Sequence, residues 1–300
     1  MPRLLLLLCF LLASAFTAVA QSSLRIQQMP LDSLAWQVLS APFEKERLTA
    51  NVELVKRLKD TLWQPETYAL PFTQLQTLSR LRAPDDRFQL WTWQLPRKGG
   101  RFHHMGLLIL PGEEENKIVV LADSTDEWEL PLDRELKPTN WQGALYYHIE
   151  AVKLKKKTYY TLLGYDQHDL QLRRKWVDAL YIDEDDEHFI RFGAPIFHTE
   201  RFQGEVLKKR PYRLVMQYSA AFSAMLRWDE DEDRILMDHL EPQDVKMKKM
   251  YRFYGPDFTY DALVWGKKGW ELEENVSVRS SINAPIVPPD KGTDLGPGRR

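Results

Sequence analysis

Two acid–histidine pairs are the residues of this chain whose types and spacing suit proton transfer. Asp166 lies two positions before His168, and Asp238 directly precedes His239. A carboxylate beside an imidazole orients the ring and favours its protonated form, as general acid–base catalysis requires. Aspartate is also common at turns for purely local reasons. The pairs are therefore the candidate catalytic residues, with turn composition as the alternative, and no other residue is assigned a catalytic role.

Alternating acids give one candidate calcium site. Asp229, Asp231 and Asp233 have the spacing of the first, third and fifth ligands of an EF-hand loop. Such a loop needs glycine at its sixth position and a bidentate glutamate at its twelfth, where this chain has Arg234 and Leu240. The run is therefore not an EF-hand. Looser calcium binding stays open, a solvated turn is the alternative, and no metal or other cofactor is expected.

Several chemistries are excluded by missing residues. The chain has no G-x-S-x-G, H-E-x-x-H or glycine-rich phosphate loop. Its single cysteine, Cys9, lies in the leader described below, so disulfides, cysteine nucleophiles and Cys-ligated metals are not expected in the mature chain. With 41 basic and 43 acidic residues and a net charge of −2, it lacks the positive field that attracts nucleic acid. Adjacent His103 and His104 fall on opposite faces of a predicted strand, which argues against one shared ion.

Two further features have both a structural and a binding interpretation. Trp91 and Trp93 share one face of a predicted strand, and we predict that they pack in the core rather than stack on a ligand. Lys153 and the run at 155–157 lie at a predicted hairpin tip. We interpret this tip as a solvated turn, with contact to an anionic envelope polymer as the alternative.

The first twenty residues have the order of a secretory signal. Arg3 is followed by an apolar run from Leu4 to Phe16, and small residues end at Ala20. This run is shorter than the roughly 20 residues that a membrane-spanning helix needs. We predict cleavage after Ala20, a secreted or periplasmic protein, and no transmembrane segment in the mature chain. A lipoprotein modified at Cys9 is the alternative.

The elements that must position these residues are an N-terminal helical segment and a β-rich domain. Residues 21–84 are predicted to be helical, with a first short helix capped at Asp32-Ser33, a main helix that Pro65 ends, and a shorter helical piece at Thr73–Leu81. The main helix is expected to bury Leu48, Val52, Leu54, Val55, Leu58 and Leu62.

Residues 85–275 read as many short strands separated by turns, and residues 276–300 as a Pro/Gly-rich disordered tail. The expected fold is mostly β and antiparallel, as a sandwich, a barrel or an irregular propeller-like stack, with the N-terminal helical segment packed against it. The predicted strands are Arg87–Pro96, Arg101–Leu110, Lys117–Leu121, Glu127–Leu130, Ala144–Val152, Thr158–Tyr165, Trp176–Ile182, His188–Phe192, Tyr212–Tyr218, Ala224–Trp228, Arg234–Asp238, Met250–Phe253 and Leu263–Glu271.

Five strand segments together resemble a family of exported bacterial envelope proteins of about this length, to which no activity is assigned. The resemblance covers residues 85–270 and implies a Gram-negative envelope setting. It implies no ligand and no catalytic residue. The segments are Leu90-Trp91-Thr92-Trp93, Gly143–Tyr147, Tyr159–Asp166, Phe192–Phe197 and Met237–Leu240.

The sequence therefore predicts an exported, non-enzymatic protein that binds cell-envelope material or another protein. The alternative is an exported hydrolase of glycans or peptides that uses carboxylates from separate strands. A hydrolase requires two acids, or an acid and a histidine, together in a pocket. A binding protein requires an accessible aromatic surface.

Overall fold

The computed structural model describes residues 31–125, 130–183 and 190–278. The fold is mostly β, with antiparallel sheets and a short N-terminal helical segment, as the sequence predicts. Helix α1 covers residues 31–40 and α2 covers Glu44–Leu62. The predicted leader, and the predicted tail from residue 279 onward, lie outside the described residues.

Sixteen strands follow the helices in the described residues. They are β1 (Ser79–Arg82), β2 (Gln89–Pro96), β3 (Phe102–Leu110), β4 (Lys117–Ala122), β5 (Leu145–Leu154), β6 (Lys157–Asp166), β7 (Leu172–Ile182), β8 (Ile190–Phe192), β9 (Phe197–His198), β10 (Arg201–Phe202), β11 (Glu205–Val206), β12 (Leu214–Ser219), β13 (Leu226–Asp229), β14 (Arg234–Pro242), β15 (Tyr254–Gly266) and β16 (Gly269–Glu273).

These strands form three main sheets. The N-terminal sheet has the order β1-β2-β3-β4, and the central sheet has the order β12-β7-β6-β5, with β8 paired to β7. The C-terminal sheet has the order β13-β14-β15-β16-β9, and β10 pairs with β11 in a small separate hairpin. The pairing of β9 with β16 is parallel, and the other strand pairs of the described residues are antiparallel. None of the sheets described closes into a barrel.

Because side chains alternate along a strand, the two faces of one sheet contribute to two different apolar cores. On β2, Trp91 packs with the helices, whereas Leu90 on the opposite face packs with the central sheet. On β6, Leu162 packs toward the N-terminal sheet and Leu163 toward the C-terminal sheet. The layers are therefore helices, N-terminal sheet, central sheet and C-terminal sheet. Since the central sheet is covered on both faces, its inner strands are buried almost continuously, as in Trp176–Ile182.

The buried stripe of α2 differs from the predicted one. Leu54, Leu58 and Leu62 are buried as expected, whereas Leu48 is 39% exposed and Val52 is 70% exposed. With about 100° between successive residues, Leu58 lies about 40° from Leu54 around the helix, but Val52 lies about 160° away. Placing Val52 in the buried stripe was therefore wrong, and so was placing Leu48 there.

The prediction that Trp91 and Trp93 belong to the core is confirmed, because both are at most 2% exposed. The buried indole of Trp93 donates to Asn51 Oδ1 on α2 at 2.8 Å. This contact satisfies the one polar group of the tryptophan and ties the helix to the sheet. Apolar periodicity does not predict the burial of Asn51, because this residue is polar.

Three local predictions are wrong where tertiary pairing overrides local pattern. Residues 73–81 do not form a helix; the chain there turns and enters β1, whose Leu81 pairs with Leu90 of β2. Residues Tyr251–Phe253 form a 3₁₀ turn that precedes β15 rather than a strand. The predicted strand Leu263–Glu271 is the end of β15, a tight turn and the start of β16. Predicted strands at 127–130 and 188–192 lie partly outside the described residues.

The short strands β9, β10 and β11 were missed because two-residue strands have no period to detect. Strand β9 needs a glycine beside it. Gly269 has a φ of +131°, and a Cβ there would lie 2.1 Å from Ile196 O. Only glycine allows this close parallel approach of β9 to β16.

Replacing Leu58 by alanine is expected to destabilise the protein far more than replacing Val52. Leu58 is fully buried, so Leu58→Ala leaves a cavity and costs about 2–5 kcal/mol of unfolding free energy. Val52→Ala removes exposed atoms and is expected to change stability by less than about 0.5 kcal/mol. Urea denaturation of the two variants measures the difference, and equal losses would contradict the orientation of α2.

Candidate functional site

The structure brings one predicted pair, Asp166 and His168, into a buried polar cluster with two residues that the sequence did not assign. His104 lies at its centre, with a fully buried side chain. Its Nδ1 is 3.4 Å from Asp123 Oδ2, and its Nε2 is 3.7 Å from Asp166 Oδ1. The carboxyl side chains are only 2% and 1% exposed. We call His104, Asp123, Asp166 and His168 the His104 cluster.

Strand ends position this cluster. His104 is on β3, Asp123 follows β4 and Asp166 ends β6, so the cluster joins the N-terminal and central sheets. Asp123 Oδ2 accepts the backbone N–H of His104 at 2.7 Å, and Asp123 Oδ1 accepts that of Thr125 at 2.8 Å. Gly143 makes room for the carboxylate, because a Cβ there would lie 2.4 Å from Asp123 Cγ.

Asp166 also stabilises a turn, which was the alternative to a catalytic role for this residue. Its Oδ1 accepts the backbone N–H of His168 at 2.7 Å, and His168 has a φ of +53°. An aspartate that binds the backbone two residues ahead is the usual stabiliser of such a turn. The second oxygen, Oδ2, lies 3.6 Å from His168 Nδ1 and 3.9 Å from Arg174 Nη1, without a hydrogen bond.

The electrostatics of the cluster favour a charged histidine between two carboxylates. Burial opposes protonation of His104, but its interactions with Asp123 and Asp166 outweigh burial and raise its pKa. Burial likewise opposes ionisation of the two acids. Contacts of Asp123 with His104, and of Asp166 with His168 and His104, nevertheless lower the pKa of both carboxyl groups. The cluster therefore holds compensating charges inside the protein.

The other predicted pair is divided between the two faces of β14. Asp238 Oδ2 accepts the backbone N–H of Met225 at 2.6 Å, and burial raises the pKa of Asp238. His239 instead contacts Asp261 at 2.7 Å and Glu241 at 3.2 Å. The hydrogen bond to Asp261 is the main cause that raises the pKa of His239 to about 9. Asp238 and His239 therefore do not act on one another.

Two of the three calcium candidates, Asp229 and Asp231, line a cleft of about 710 Å³, but arginines contact the first of them. Asp229 Oδ2 accepts from Arg234 Nε at 3.1 Å, and Asp229 Oδ1 lies 3.6 Å from Arg227 Nη1. Asp231 also lines this cleft, whereas Asp233 takes a φ of +48° in the turn after it. Within the ranges that the structure describes, no three acids, histidines or cysteines are placed so that together they could hold a metal ion.

A different concave site, which the sequence did not predict, is lined by aromatic residues and cations. It is an open cleft with a free volume of about 430 Å³. We call it the tyrosine cleft, and its lining consists of Leu145, Tyr147, Tyr165, Arg173, Lys175, Tyr218, Phe222 and Ser223.

Cross-strand pairing in the central sheet forms the floor of the tyrosine cleft. Tyr165 pairs with Leu145 on one side and with Lys175 on the other, and Arg173 pairs with Tyr218 in a neighbouring row. Paired residues share a face of the sheet. Among the described residues, no residue of the C-terminal sheet lines the cleft, so that sheet does not cover this part of the central sheet.

The connection between β12 and β13 forms one wall. Phe222 in this connection is 42% exposed and stands over Gly255, where a Cβ would come within 2.9 Å of the ring. Tyr147 is 38% exposed, and its hydroxyl donates to Leu226 O at 2.7 Å. Two aromatic rings are therefore both accessible and held in place.

One partly buried cation completes the cleft. Lys175 Nζ lies 5.7 Å from the centre of the Tyr147 ring, a distance typical of a cation–π contact. Burial lowers the pKa of Lys175, and the charge of Asp238 partly offsets this effect. Nothing in the sequence distinguishes Lys175, because it ends a run of three basic residues just before the predicted strand that begins at Trp176.

Comparisons with protein-family models, with curated proteins and with solved structures find no match to this chain. Among the residues that the structure describes, no helix is both long and apolar enough to cross a membrane. The function is therefore inferred from the geometry of the sites.

Replacing His104 by glutamine is expected to destabilise the protein in a pH-dependent way. The raised pKa of His104 gives stability that is lost as pH rises through that pKa, and the lowered pKa values of Asp123 and Asp166 give stability that is lost as pH falls through them. Both contributions are complete between the ordinary aspartate and histidine pKa values, about 4 and about 6.5. In this pH range we expect His104→Gln to lower the free energy of unfolding by about 3–5 kcal/mol.

His148→Gln is the matched control for this measurement. His148 makes a half-exposed pair with Glu150 at 3.0 Å, and such pairs contribute about 0–1 kcal/mol. Denaturation at several pH values compares the two variants. A loss for His104→Gln that does not change with pH would show that the cluster carries no charge.

Proposed function

We propose that this protein is an exported, non-enzymatic binding protein of the cell envelope, and that the tyrosine cleft holds the envelope material or the partner. The signal-like order of residues 1–20 supports the export. The resemblance to exported bacterial envelope proteins supports the setting. The cleft is the single observation that carries the binding role.

The tyrosine cleft has the properties of a binding site rather than of a catalytic one. Its volume of about 430 Å³ is within the range of about 300–1,000 Å³ that is common for ligand sites. It offers aromatic rings, which supply contact area at a low entropic cost, and hydroxyl and ammonium groups that orient a ligand. Its described lining contains no carboxylate and no histidine, which are the groups that the alternative hydrolase would use.

A hydrolase is the second candidate, because Asp123 and Asp166 face the two nitrogens of His104 at 3.4 and 3.7 Å. Glycan hydrolysis uses a pair of acids on either side of the bond that is cleaved. However, both carboxyl groups are at most 2% exposed, so a substrate reaches neither one without a rearrangement of the sheets. No residue of the His104 cluster lines the tyrosine cleft.

Sedimentation with purified peptidoglycan sacculi and with outer-membrane vesicles tests the binding role. We expect wild-type protein to sediment with one of them and Phe222→Ala to sediment several-fold less, because the variant loses an accessible ring of the cleft. Phe258→Ala is the matched control, since Phe258 is 88% exposed and does not line the cleft.

The same samples distinguish the hydrolase. Soluble glycan or peptide fragments that wild-type protein releases, and that Asp166→Asn does not, would replace the binding role with catalysis. Equal sedimentation of wild type, Phe222→Ala and Phe258→Ala would remove the cleft from the proposal.

Export is tested by the N-terminus of the protein recovered from the producing cell. We expect the first residue to be Gln21, because signal peptidase cleaves after an A-x-A pattern of small residues and Ala18-Val19-Ala20 forms this pattern. Edman sequencing or mass spectrometry of the intact protein measures it. An N-terminal Cys9 carrying lipid, or an uncleaved Met1 in the cytosol, would contradict the proposed location.

A further inference from the structure

We propose that the tyrosine cleft is specific for an acidic saccharide, whose carboxylate pairs with Lys175 while its ring packs on Tyr147 and Phe222. This proposal rests on the proposed binding role and adds the chemical class of the ligand. It follows from the charge of the lining, the environment of Lys175 and the exposure of the two rings.

The charge of the lining is opposite in sign to that of the chain. Arg173 and Lys175 line the cleft, and no acid does so among the described residues. The whole chain has more acidic than basic residues, 43 against 41. A concave site with charges of one sign attracts ligands of the other sign. The complementary ligand is therefore an anion.

Lys175 has the freedom to make that contact. Within the described part of the chain its ammonium makes the cation–π contact with Tyr147 and no hydrogen bond or salt bridge. The acid that acts on it electrostatically, Asp238, uses Oδ2 to accept the N–H of Met225 and does not line the cleft. A lysine ammonium has three donors, and a carboxylate from a ligand satisfies them with charge-assisted hydrogen bonds.

Arg173 contributes charge but is held by the protein. Its Nη1 donates to Gln167 O at 2.9 Å and also to Asp169 O, which fixes the guanidinium against the connection between β6 and β7. Lys175 is therefore the residue expected to contact the anion directly. Arg173 supports it by adding positive potential to the same cleft.

The two accessible rings favour a saccharide over a compact inorganic anion. Tyr147 and Phe222 are 38% and 42% exposed at the cleft. A pyranose presents C–H groups on its face and hydroxyl groups at its edge. The C–H face complements the negative face of an aromatic ring, and the hydroxyl of Ser223 and the tip of Tyr165 are polar partners for the edge.

Two pairs of matched probes test the charge requirement. N-acetylmuramic acid is compared with N-acetylglucosamine, and trigalacturonate with its neutral methyl ester, by saturation-transfer NMR and calorimetry on the full mature chain. We expect an acidic probe to bind at least about tenfold more tightly than its neutral counterpart. Its affinity should fall as salt is added, because the pair is only partly shielded from water.

Variants then assign the effect to Lys175. Lys175→Gln is expected to reduce binding of the acidic probe to the level of the neutral one, and Lys175→Arg to restore most of it. The matched control is Lys157→Gln, because Lys157 lies 5.2 Å from the ring of Tyr181 in a similar contact outside the cleft. A melting temperature for each variant confirms that the fold is retained.

The outcomes separate this inference from the proposed function. Equal binding of acidic and neutral probes, or unchanged binding by Lys175→Gln, would overturn the acidic ligand and leave the cleft as a binding site. If neither acidic sugar binds at about 10 mM, the inference of an acidic saccharide is also overturned. It is equally overturned if an acidic peptide binds in their place. If Phe222→Ala in addition sediments like wild type, the proposed function itself fails.

Discussion

The buried ion pair between Arg213 and Asp178 is the constraint around which the central sheet is arranged. Neither side chain is exposed by more than 1%, and Arg213 Nε donates to Asp178 Oδ1 at 3.0 Å. The other donors of Arg213 bind Phe192 O at 2.9 Å, Arg134 O at 3.1 Å and Pro131 O. Because a buried charge is costly unless it is fully paired, each of these segments is held where the guanidinium can reach it. One arginine thus joins β12, β7, β8 and the segment after residue 130.

The ion pair also constrains which residue types can lie next to it. Asp178 Oδ2 accepts from the hydroxyl of Tyr146 at 2.8 Å, which brings β5 into the same network. Gly193 has a φ of +89°, and a Cβ there would lie 2.3 Å from Arg213 Nη2. A buried ion pair does not by itself add net stability compared with apolar residues of the same shape. Its effect here is to select one arrangement of segments, because any other arrangement leaves a charge without a partner.

Most of the acids and histidines that suggested chemistry contribute to structure in the same way. Asp166 stabilises a turn and faces His104 at the junction of two sheets, and Asp229 is held by Arg234. Lys175 is the exception, since it is partly buried and has no acid at hydrogen-bonding distance within the described residues. Asp166 Oδ2 and His104 Nδ1 also lack hydrogen bonds, but both atoms are buried, whereas Lys175 lines a cleft that a ligand can enter. This difference in access is the reason why we favour binding over catalysis.

The sequence alone was sufficient for the β-rich antiparallel class, the N-terminal helices and the burial of Trp91 and Trp93, because these depend on local periodicity and on side-chain size. It was not sufficient for the orientation of α2, where Val52 turned outward, or for β1, where pairing with β2 overrode a helical spacing. The His104 cluster and the tyrosine cleft were decided by tertiary structure alone. His104 lies on β3, Asp123 directly follows β4 and Asp166 ends β6, and Tyr165, Lys175 and Phe222 come from separate segments. No periodicity links residues so far apart in the chain; strand pairing in three dimensions brings them together.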